Sequence, residues 1–590
     1  MSNEPFSVEQ KEYLAGYAAG LTTRGLFPFV GHRPDGVLTN NPGEAPANLA
    51  APAEEATLFG VPLDELCREE QLKLEQNPLD IWDKILSAAA QDKPPEGGDV
   101  FRFKFHGLFY VAPAQDAFML RLRTPAGVLS SAQMRGLARI ARDWGGGYSD
   151  VTTRANIQIR EFPPRHIVNV LQAVAELGLS SKGAGADNVR NITATPTSGL
   201  DPDEVFDVRP LARALQLYLY NSRDLYGIPR KFNIAFDSGG AVSVVSDTND
   251  IGFLACRVGA NQAGIEPGVY FRVLLAGITG HQRFAEDAGL LLKPDECVAV
   301  AAAMIRAFNE TGDRTDRKKA RLCYVIERLG IEGFLERSQA HLAFPLRRAP
   351  ADIVEPRRPV VRHGHLGVHA QAQPGLNYVG AAIPVGRMSC EQMEGLAALA
   401  ERFGSGELRL TVWQNIIIPN VPDNQVAALG AGLSDIGFAA TASNVAGGVV
   451  ACTGNTGCRF AQTDTKGHAM ALARHLDRAV GLDQPVNIHL TGCPHSCAQH
   501  YIGDIGLLGV QVEGGSGLVE AYTVYVGGGC DQDRGLAREL AKGVLATDIP
   551  AYLEQLLKTY LARRADGESF LAFARRQDIA ALRDMASAAA

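Results

Sequence analysis

Apolar positions recur along this chain in two rhythms, and the changes of rhythm mark out its elements. From Val100 to Val111 the stretch V-F-R-F-K-F-H-G-L-F-Y-V alternates apolar and polar residues, the period of two that predicts a strand with one buried face. From Ser130 the run S-S-A-Q-M-R-G-L-A-R-I-A spaces its apolar residues three and four apart behind a capping serine, which predicts a helix; a glycine turn at Gly145 and a strand-like D-V-T-T-R-A-N-I-Q-I from Asp150 follow. The charged stretch from about Pro62 to Gln76 and the run from Asp464 to Val480 also read as helices. After a helical start, residues 30–57 are dominated by Pro, Gly, Asn and Ala, so a surface arm is expected there and compact structure from about Val100. A proline-rich connection from Phe344 to Pro359 marks the middle of the chain.

The two parts so divided resemble each other. P-V-G-R-M-S-C-E-Q-M-E-G-L-A-A-L-A from Pro384, then R-L-T-V-W-Q-N-I-I-I from Arg409, repeat the pattern of Pro125 to Ile159 at an offset of 259 positions. That offset aligns Gln133 with Gln392, Met134 with Met393, Gly136 with Gly395, Gly145 with Gly404, Thr152 with Thr411 and Asn156 with Asn415. Each copy reads as strand, serine-led helix, turn and strand, and two such units are expected to share one mixed sheet. A duplicated fold has a seam between its halves where a large cofactor can sit.

Composition narrows the function. The 590 residues are 46% hydrophobic and 21% charged, which indicates several globular domains. A formal charge of −8 and the lack of a nucleic-acid motif argue against a nucleic-acid partner. Glu4, Glu9, Lys11 and Glu12 interrupt the apolar residues of the N-terminus, unlike a secretory signal, and no uncharged apolar run reaches the ~20 residues needed to cross a bilayer. The expectation is a cytoplasmic protein without a membrane partner.

Ten cysteines are too few for a disulfide scaffold of this length, and six of them, Cys67, Cys256, Cys297, Cys323, Cys390 and Cys530, are scattered and read as small packed residues. The other four form two pairs in glycine-bearing loops, Cys452 and Cys458 as C-x5-C and Cys493 and Cys497 as C-x3-C, with 34 residues between the pairs. Four converging thiolates suit a 4Fe-4S cluster or a structural zinc, and neither pair has the C-x2-C form of a zinc knuckle. The cluster is favoured; a non-enzymatic zinc protein is the alternative.

V-A-C-T-G-N-T-G-C and T-G-C-P-H-S-C-A-Q resemble the cluster-binding signature of the sirohaem-dependent nitrite and sulfite reductases. F-M-L-R-L-R-T-P-A-G, D-V-T-T-R-A-N-I-Q-I-R, I-P-R-K-F-N and G-S-G-E-L-R-L-T-V-W-Q-N-I-I-I-P-N also resemble family segments, the last most like ferredoxin-dependent nitrite reductases, and the likeness runs from about Phe101 to the C-terminal region. The resemblance implies an α+β fold, internally duplicated around a pseudo-twofold seam. Its expected parts are an extension and arm (1–100), a first ferredoxin-like half (101–180), a first sirohaem-binding domain (181–345), a second ferredoxin-like half (360–432) and a second sirohaem and cluster domain (433–590). It implies that all four cysteines bind a 4Fe-4S cluster, that Cys497 bridges it to the sirohaem iron, and that Arg121, Arg154, Arg190 and Lys231 supply positive charge to sirohaem and substrate. Arginine stays protonated, so Arg121 and Arg190 should hold charge, Lys231 should donate protons, and Arg154 should chiefly bind sirohaem carboxylates. His495 and His500 are expected to bond locally.

Asn233 bears on the substrate. Sulfite reductases of this family typically carry a second lysine two positions after the pocket lysine, whereas here the sequence is K-F-N, and one cation fewer suits singly charged nitrite. The resemblance thus implies six-electron reduction of nitrite to ammonia, with sulfite reduction as the alternative and a precorrin-3B synthase-like oxygenase as a more distant one. No G-x-G-x-x-G fingerprint for a flavin or nicotinamide follows a strand, so electrons should come from a separate carrier such as ferredoxin to a monomeric enzyme. R-T-D-R-K-K-A-R, Arg314 to Arg321, is the best basic run for docking it. Trp413 stands where the plant-like segment usually has glutamate, which puts it at the donor surface or the pocket entrance.

Overall fold

The structure is a computed structural model that describes residues 57–259, 264–441, 443–515 and 517–587. The expected helical start and nearly all of the surface arm lie outside these residues. Packed structure begins earlier than Val100: helices α1 (Arg68–Glu75) and α2 (Trp82–Gln91) precede it, and Ile81 and Ile85 are fully buried in the central core. The strand expected over Val100 to Val111 is corrected as well. Asp99–Arg102 is an α-helical turn, Phe103–His106 a 3-10 turn, and only β1 (Leu108–Tyr110) is extended. The alternation misleads because its polar position Arg102 is not on a wet face. Arg102 is buried, donates to the Leu72 carbonyl at 2.9 Å and pairs with Glu75 and, one helical turn back, with Asp99, each at 2.8 Å.

The first repeat then runs β2 (Phe118–Arg121), β3 (Val128–Ser130), α3 (Ser131–Asp143), β4 (Tyr148–Thr152), β5 (Asn156–Phe162) and α4 (Ile167–Glu176). A larger sheet follows, with β6 (Thr193–Ala194), α5 (Arg209–Asn221), β7 (Ile234–Asp237), β8 (Ile251–Val258), β9 (Gly268–Leu275) and β10 (Glu286–Leu292), covered by α6 (Cys297–Thr311) and α7 (Leu322–Gln339). The pattern starts again with β11 (Gly367–Ala370), β12 (Leu376–Ala381), β13 (Arg387–Ser389), α8 (Cys390–Phe403), β14 (Glu407–Leu410), β15 (Ile416–Pro422) and α9 (Val426–Asp435). The second large sheet holds β16 (Val449–Ala451), α10 (Thr465–Ala479), β17 (Ile488–Thr491), β18 (Ile505–Gly514), β19 (Gly517–Val526) and β20 (Arg538–Leu545), backed by α11 (Ile549–Arg563). Among the described residues no helix is long and apolar enough to cross a membrane.

The large sheets share one topology. In the first, β6, β7 and β8 are parallel and β9 and β10 antiparallel; in the second, β16, β17 and β18 are parallel and β19 and β20 antiparallel. Even the register agrees, Ile234 facing Ile251 as Ile488 faces Ile505.

The two repeats do not share one mixed sheet, as the sequence suggested. They form two five-stranded antiparallel sheets that exchange an edge strand: β3 of the first repeat pairs with β14 of the second, Ser130 facing Glu407, and β13 of the second pairs with β4 of the first, Ser389 facing Tyr148. The serine-led helices are as the pattern predicts. Ser130 and Ser389 each close a capping box with Gln133 and Gln392, worth about 1 kcal/mol apiece. Helices α3 and α8 pack on each other across the pseudo-twofold. Arg142–Glu394 and Arg135–Glu401, both 2.7 Å, cross that contact but are exposed and screened by solvent, whereas a buried leucine such as Leu137 or Leu396 contributes about 1.5–3 kcal/mol. Apolar burial therefore holds the helices together.

Each exchanged strand enters through a turn that only glycine fits. Gly127 (φ +72°) and Gly386 (φ +71°) are equivalent, and a Cβ would lie 2.5 Å from the Leu410 carbonyl oxygen at the first and 2.6 Å from that of Val151 at the second. Gly147 has a similar φ of +78° with open space around it. Gly386→Ala should therefore lower stability in chemical denaturation by about 1–3 kcal/mol more than Gly147→Ala does. Equal losses would mean that the close approach of the exchanged strand imposes no constraint.

Candidate metal and active site

Strands β16 and β17 are hydrogen-bonded parallel neighbours, and the Cys452 amide N–H donates to the Leu490 carbonyl at 3.0 Å, so both cysteine loops leave the same sheet end side by side. The first loop runs from Cys452 through Cys458 into α10. There Asp464 caps the helix and the Thr465 hydroxyl donates to the Cys452 carbonyl at 2.7 Å. In the second loop Ser496 (φ +52°) and Gln499 (φ +55°) adopt left-handed backbone, which tightens C-P-H-S-C-A-Q around its own thiols. Two contacts tie it to the first half of the chain: Thr153 Oγ1 donates to the Cys497 carbonyl and Gln499 Nε2 to Thr248 Oγ1, each at 3.0 Å.

The Gly492 amide N–H points at Cys452 Sγ from 3.2 Å, an acceptor role that suits a thiolate ligand. Cys452, Cys458 and Cys497 all act on the thiol of Cys493, so the four thiols lie near one another, as a 4Fe-4S cluster requires.

The other half of the chain brings cations to this place. Arg121 ends β2 with its guanidinium 4.5 Å over the Phe109 ring; burial lowers it to about 10, and the sulfurs of Cys497 and Cys458 act in the opposite sense. Arg190 donates to the carbonyls of Ala184 (3.1 Å) and Ala186 (2.8 Å), and burial, with Arg121 beside it, lowers it far below its ordinary value. Burial brings Lys231 down to about 7; Arg321, Arg190 and Arg230 push the same way and Cys497 opposes them. Cys497 itself is solvent-accessible yet walled in by protein, and burial raises its thiol while Lys231 and Arg121 lower it. Arg121 and Lys231 thus flank Cys497, and Arg190 lies beside both of them. Crowded buried cations, with cysteine sulfurs beside Arg121 and Lys231 and Asp187 beside Arg190, fit a polycarboxylate ligand and a small anion.

Arg154 is turned elsewhere. Its guanidinium donates to Asn249 Oδ1 (2.8 Å) and to the carbonyls of Asn191 (2.9 Å) and Ile234 (3.2 Å), and burial lowers it to about 10. Asn233 is fixed through its main chain, its N–H donating to Asp250 Oδ2 at 2.8 Å. His500 is buried and bonds Ser496 Oγ at 3.0 Å, whereas exposed His495 lies 3.4 Å from Cys493 Sγ and packs edge-on against Phe460.

The basic run Arg314 to Arg321 is not the docking patch expected of it. Arg314 is buried on Glu70 at 2.6 Å, Arg317 pairs with buried Asp187 at 2.8 Å and Arg321 with buried Asp250 at 2.8 Å, which leaves Lys318 and Lys319 exposed. Arg321 and Arg230 belong instead to the surroundings of Lys231, a role that sequence reading missed although Arg230 stands in the same I-P-R-K-F-N segment. Arg160, in D-V-T-T-R-A-N-I-Q-I-R, was also missed; it donates to Thr453 Oγ1 at 2.7 Å in the first cysteine loop.

Trp413 lies in a separate recess, away from the cysteine loops' cations. The repeat offset makes it the counterpart of Arg154, and it lines a recess on the opposite side of the seam together with Ser243, Arg362, His363, His365, and Asn487. This recess is the pseudo-twofold mate of the site. Asn487 donates to Asp504 as Asn233 does to Asp250, both at 2.8 Å, and Arg362 pairs with Asp504 as Arg321 pairs with Asp250. By the same registers Gly380, Gly447, Pro485 and Ser243 stand where the site has Arg121, Arg190, Lys231 and Cys497. Trp413 fills the mate, stacked on His365 at 6.2 Å and edge-on to His489 at 6.0 Å.

Comparison with known proteins agrees with the geometry. A model described as the nitrite and sulphite reductase 4Fe-4S domain matches residues 185–346 and 432–581, and one described as the nitrite/sulfite reductase ferredoxin-like half domain matches 112–177 and 369–435. The chain is 36% identical over 504 residues to the ferredoxin–nitrite reductase of Synechococcus elongatus, covering 84% of this chain and 96% of that protein. It is 35% identical to the chloroplastic ferredoxin–nitrite reductase of Zea mays, covering 83% and 88%. The solved structure of Mycobacterium tuberculosis NirA superposes with a TM-score of 0.80 at 28% identity, over 88% of this chain and 98% of that one. The expected α+β architecture with ferredoxin-like halves is therefore the one observed. With both module types matched twice over most of its length, the chain belongs to the nitrite and sulphite reductase family.

Proposed function

We propose that this protein catalyses assimilatory six-electron reduction of nitrite to ammonia, with a sirohaem and a 4Fe-4S cluster as its redox groups and a ferredoxin or similar one-electron carrier as its donor. The observation that carries the reading is the meeting of four cysteine thiols from one half with Arg121, Arg190 and Lys231 from the other. Cys452, Cys458, Cys493 and Cys497 would hold the cluster, and Cys497, with Lys231 and Arg121 beside it, is the ligand that would face the sirohaem. When bound, the two groups supply the electrons.

The chain's residues do the remainder. Arg121 and Arg190 are fixed charges: Arg190 is held by two carbonyls and Arg121 by an aromatic face, so both can donate to an oxyanion without giving up a proton. Lys231, lowered towards neutrality by burial, can release a proton to each departing oxygen and recover it. Arg154 would reach sirohaem carboxylates only by giving up one of its present partners, Asn249, Asn191 or Ile234. Asn233 in place of a second lysine leaves one cation fewer, which favours nitrite over sulfite, and relatives that share most of the chain are named ferredoxin–nitrite reductases.

Steady-state kinetics of the cofactor-loaded enzyme with a chemical reductant test the substrate. kcat/KM should favour nitrite over sulfite, and Asn233→Lys should shrink that preference by roughly tenfold or more. A native preference for sulfite would overturn the reading of Asn233. The ligand assignment has its own test: Cys497→Ser should lower activity more than about a hundredfold and remove magnetic coupling between haem and cluster, while Cys67→Ser should stay within about 0.5 kcal/mol of wild-type stability with full activity. Equal effects of the two would refute the assignment.

A further inference from the structure

The first cysteine loop rests on a buried ion network that the nitrite reaction does not explain. At its centre is Asp150 on β4, 2% exposed. Arg160 on β5 lies 2.9 Å from it, Arg387 on the exchanged strand β13 also 2.9 Å, and Lys466 in the first turn of α10 3.6 Å. These residues come from the first repeat, the second repeat and the cysteine-bearing sheet, so the network joins three parts of the fold at one carboxylate. Asp150 is held far below the usual carboxylate range by Lys466, Arg160 and Arg387 against the effect of its burial.

The charges do not balance. Arg387 is half-buried and Glu161 also acts on it, but Arg160 and Lys466 are 2% and 4% exposed and face the single carboxylate. One buried positive charge is left over, and an uncompensated buried charge is strongly unfavourable. The surplus points at the loop. Arg160 donates to Thr453 Oγ1 at 2.7 Å and to the Gly457 carbonyl at 3.4 Å, the residues just inside Cys452 and Cys458. A side chain at Gly457 would meet the Arg160 guanidinium at 2.9 Å. Lys466 follows Thr465, whose hydroxyl holds the Cys452 carbonyl, and its ammonium donates to the Val385 carbonyl.

We propose that Arg160 and Lys466, organised by Asp150, are positioning residues for the 4Fe-4S cluster: they fix the Cys452–Cys458 loop and raise the cluster's reduction potential. This rests on the reading of the four cysteines as cluster ligands. A cluster core bound by four thiolates is a net anion and becomes more so when reduced, so a fixed buried cation stabilises the reduced form more than the oxidised one. The surplus charge is thereby satisfied. The same cation makes reduction by the donor easier.

The sign of the effect separates electrostatics from loosened packing. Removal of a buried cation lowers the potential, whereas a loop that opens to water gains polar solvent that stabilises the reduced, more highly charged form and raises it. The experiment is an EPR-monitored redox titration of the cofactor-loaded full-length enzyme as wild type, Lys466→Met, Lys466→Arg and Arg387→Gln. Lys466→Met should decrease the ratio of reduced to oxidised cluster at a fixed poise by roughly tenfold, ~59 mV for a one-electron couple. Lys466→Arg, which keeps the charge, should restore the wild-type potential. Arg387→Gln, at a half-exposed position, should move the potential in the same direction by less, and it keeps the test decisive if Lys466→Met fails to assemble. An unchanged or raised potential in the neutral variants would overturn the proposal. Wild-type protein without a reducible cluster signal would instead overturn the underlying cluster reading.

Discussion

The exchange of β3 and β13 between the two small sheets is the constraint on which the rest of the molecule depends. A repeat that kept its own edge strand could fold and drift alone. Here each five-stranded sheet is incomplete without three residues from the other repeat, so the halves are locked face to face, with α3 packed on α8. The large sheets hang from this frame in matching orientations. That brings the loops that follow β16 and β17 against the residues that precede β6 and β7, and the thiols of one half meet the cations of the other.

A symmetric frame would offer two such places, and side chains decide that only one is equipped. The hydrogen-bonded skeleton is preserved on both sides, Asn233 with Asp250 and Arg321 on one, Asn487 with Asp504 and Arg362 on the other. The functional positions are not. Arginine, lysine and cysteine on one side face glycine, proline and serine on the other, and Trp413 with its histidine neighbours fills the space that Arg154 borders at the site. Backbone equivalence thus keeps the fold, while the loss of cations and the gain of aromatic bulk remove the second site's affinity for an anion.

Much of this was legible because it is written locally. A serine three residues before a glutamine and ahead of a helical apolar run marks a helix start from local sequence, the cysteine spacing needs no tertiary context, and the 259-residue offset showed the duplication and, by arithmetic alone, the pairing of Arg154 with Trp413. What failed depended on contacts between distant segments. Arg102 looked like the wet position of a strand because nothing near it in sequence shows that Leu72 and Glu75 receive its guanidinium. Arg314 to Arg321 looked like a surface patch because a run of charge does not state that Glu70, Asp187 and Asp250 lie beneath it. The strand exchange was hidden for a related reason: β3 and β13 are three residues long, and a short extended segment carries no mark of which sheet it joins.

The buried cations also bear on the order in which the protein is assembled. Arg121, Arg190 and Lys231 on one side of Cys497, and Lys466 behind Cys452, are each displaced by burial towards their uncharged forms, and Arg160 beside Asp150 adds a buried charge left unbalanced. Folding alone brings like charges together out of water, which opposes compaction at the seam, whereas a negatively charged cluster and a polycarboxylate macrocycle reverse the sign of that term. The apolar contact of α3 with α8 contains none of these charges and can form without help, while Arg387 on β13 shares Asp150 with Arg160 and Lys466. The frame therefore closes on its own hydrophobic and hydrogen-bonding terms, and the seam becomes favourable only with its anionic contents, so cofactor affinity and stability of the seam are one quantity.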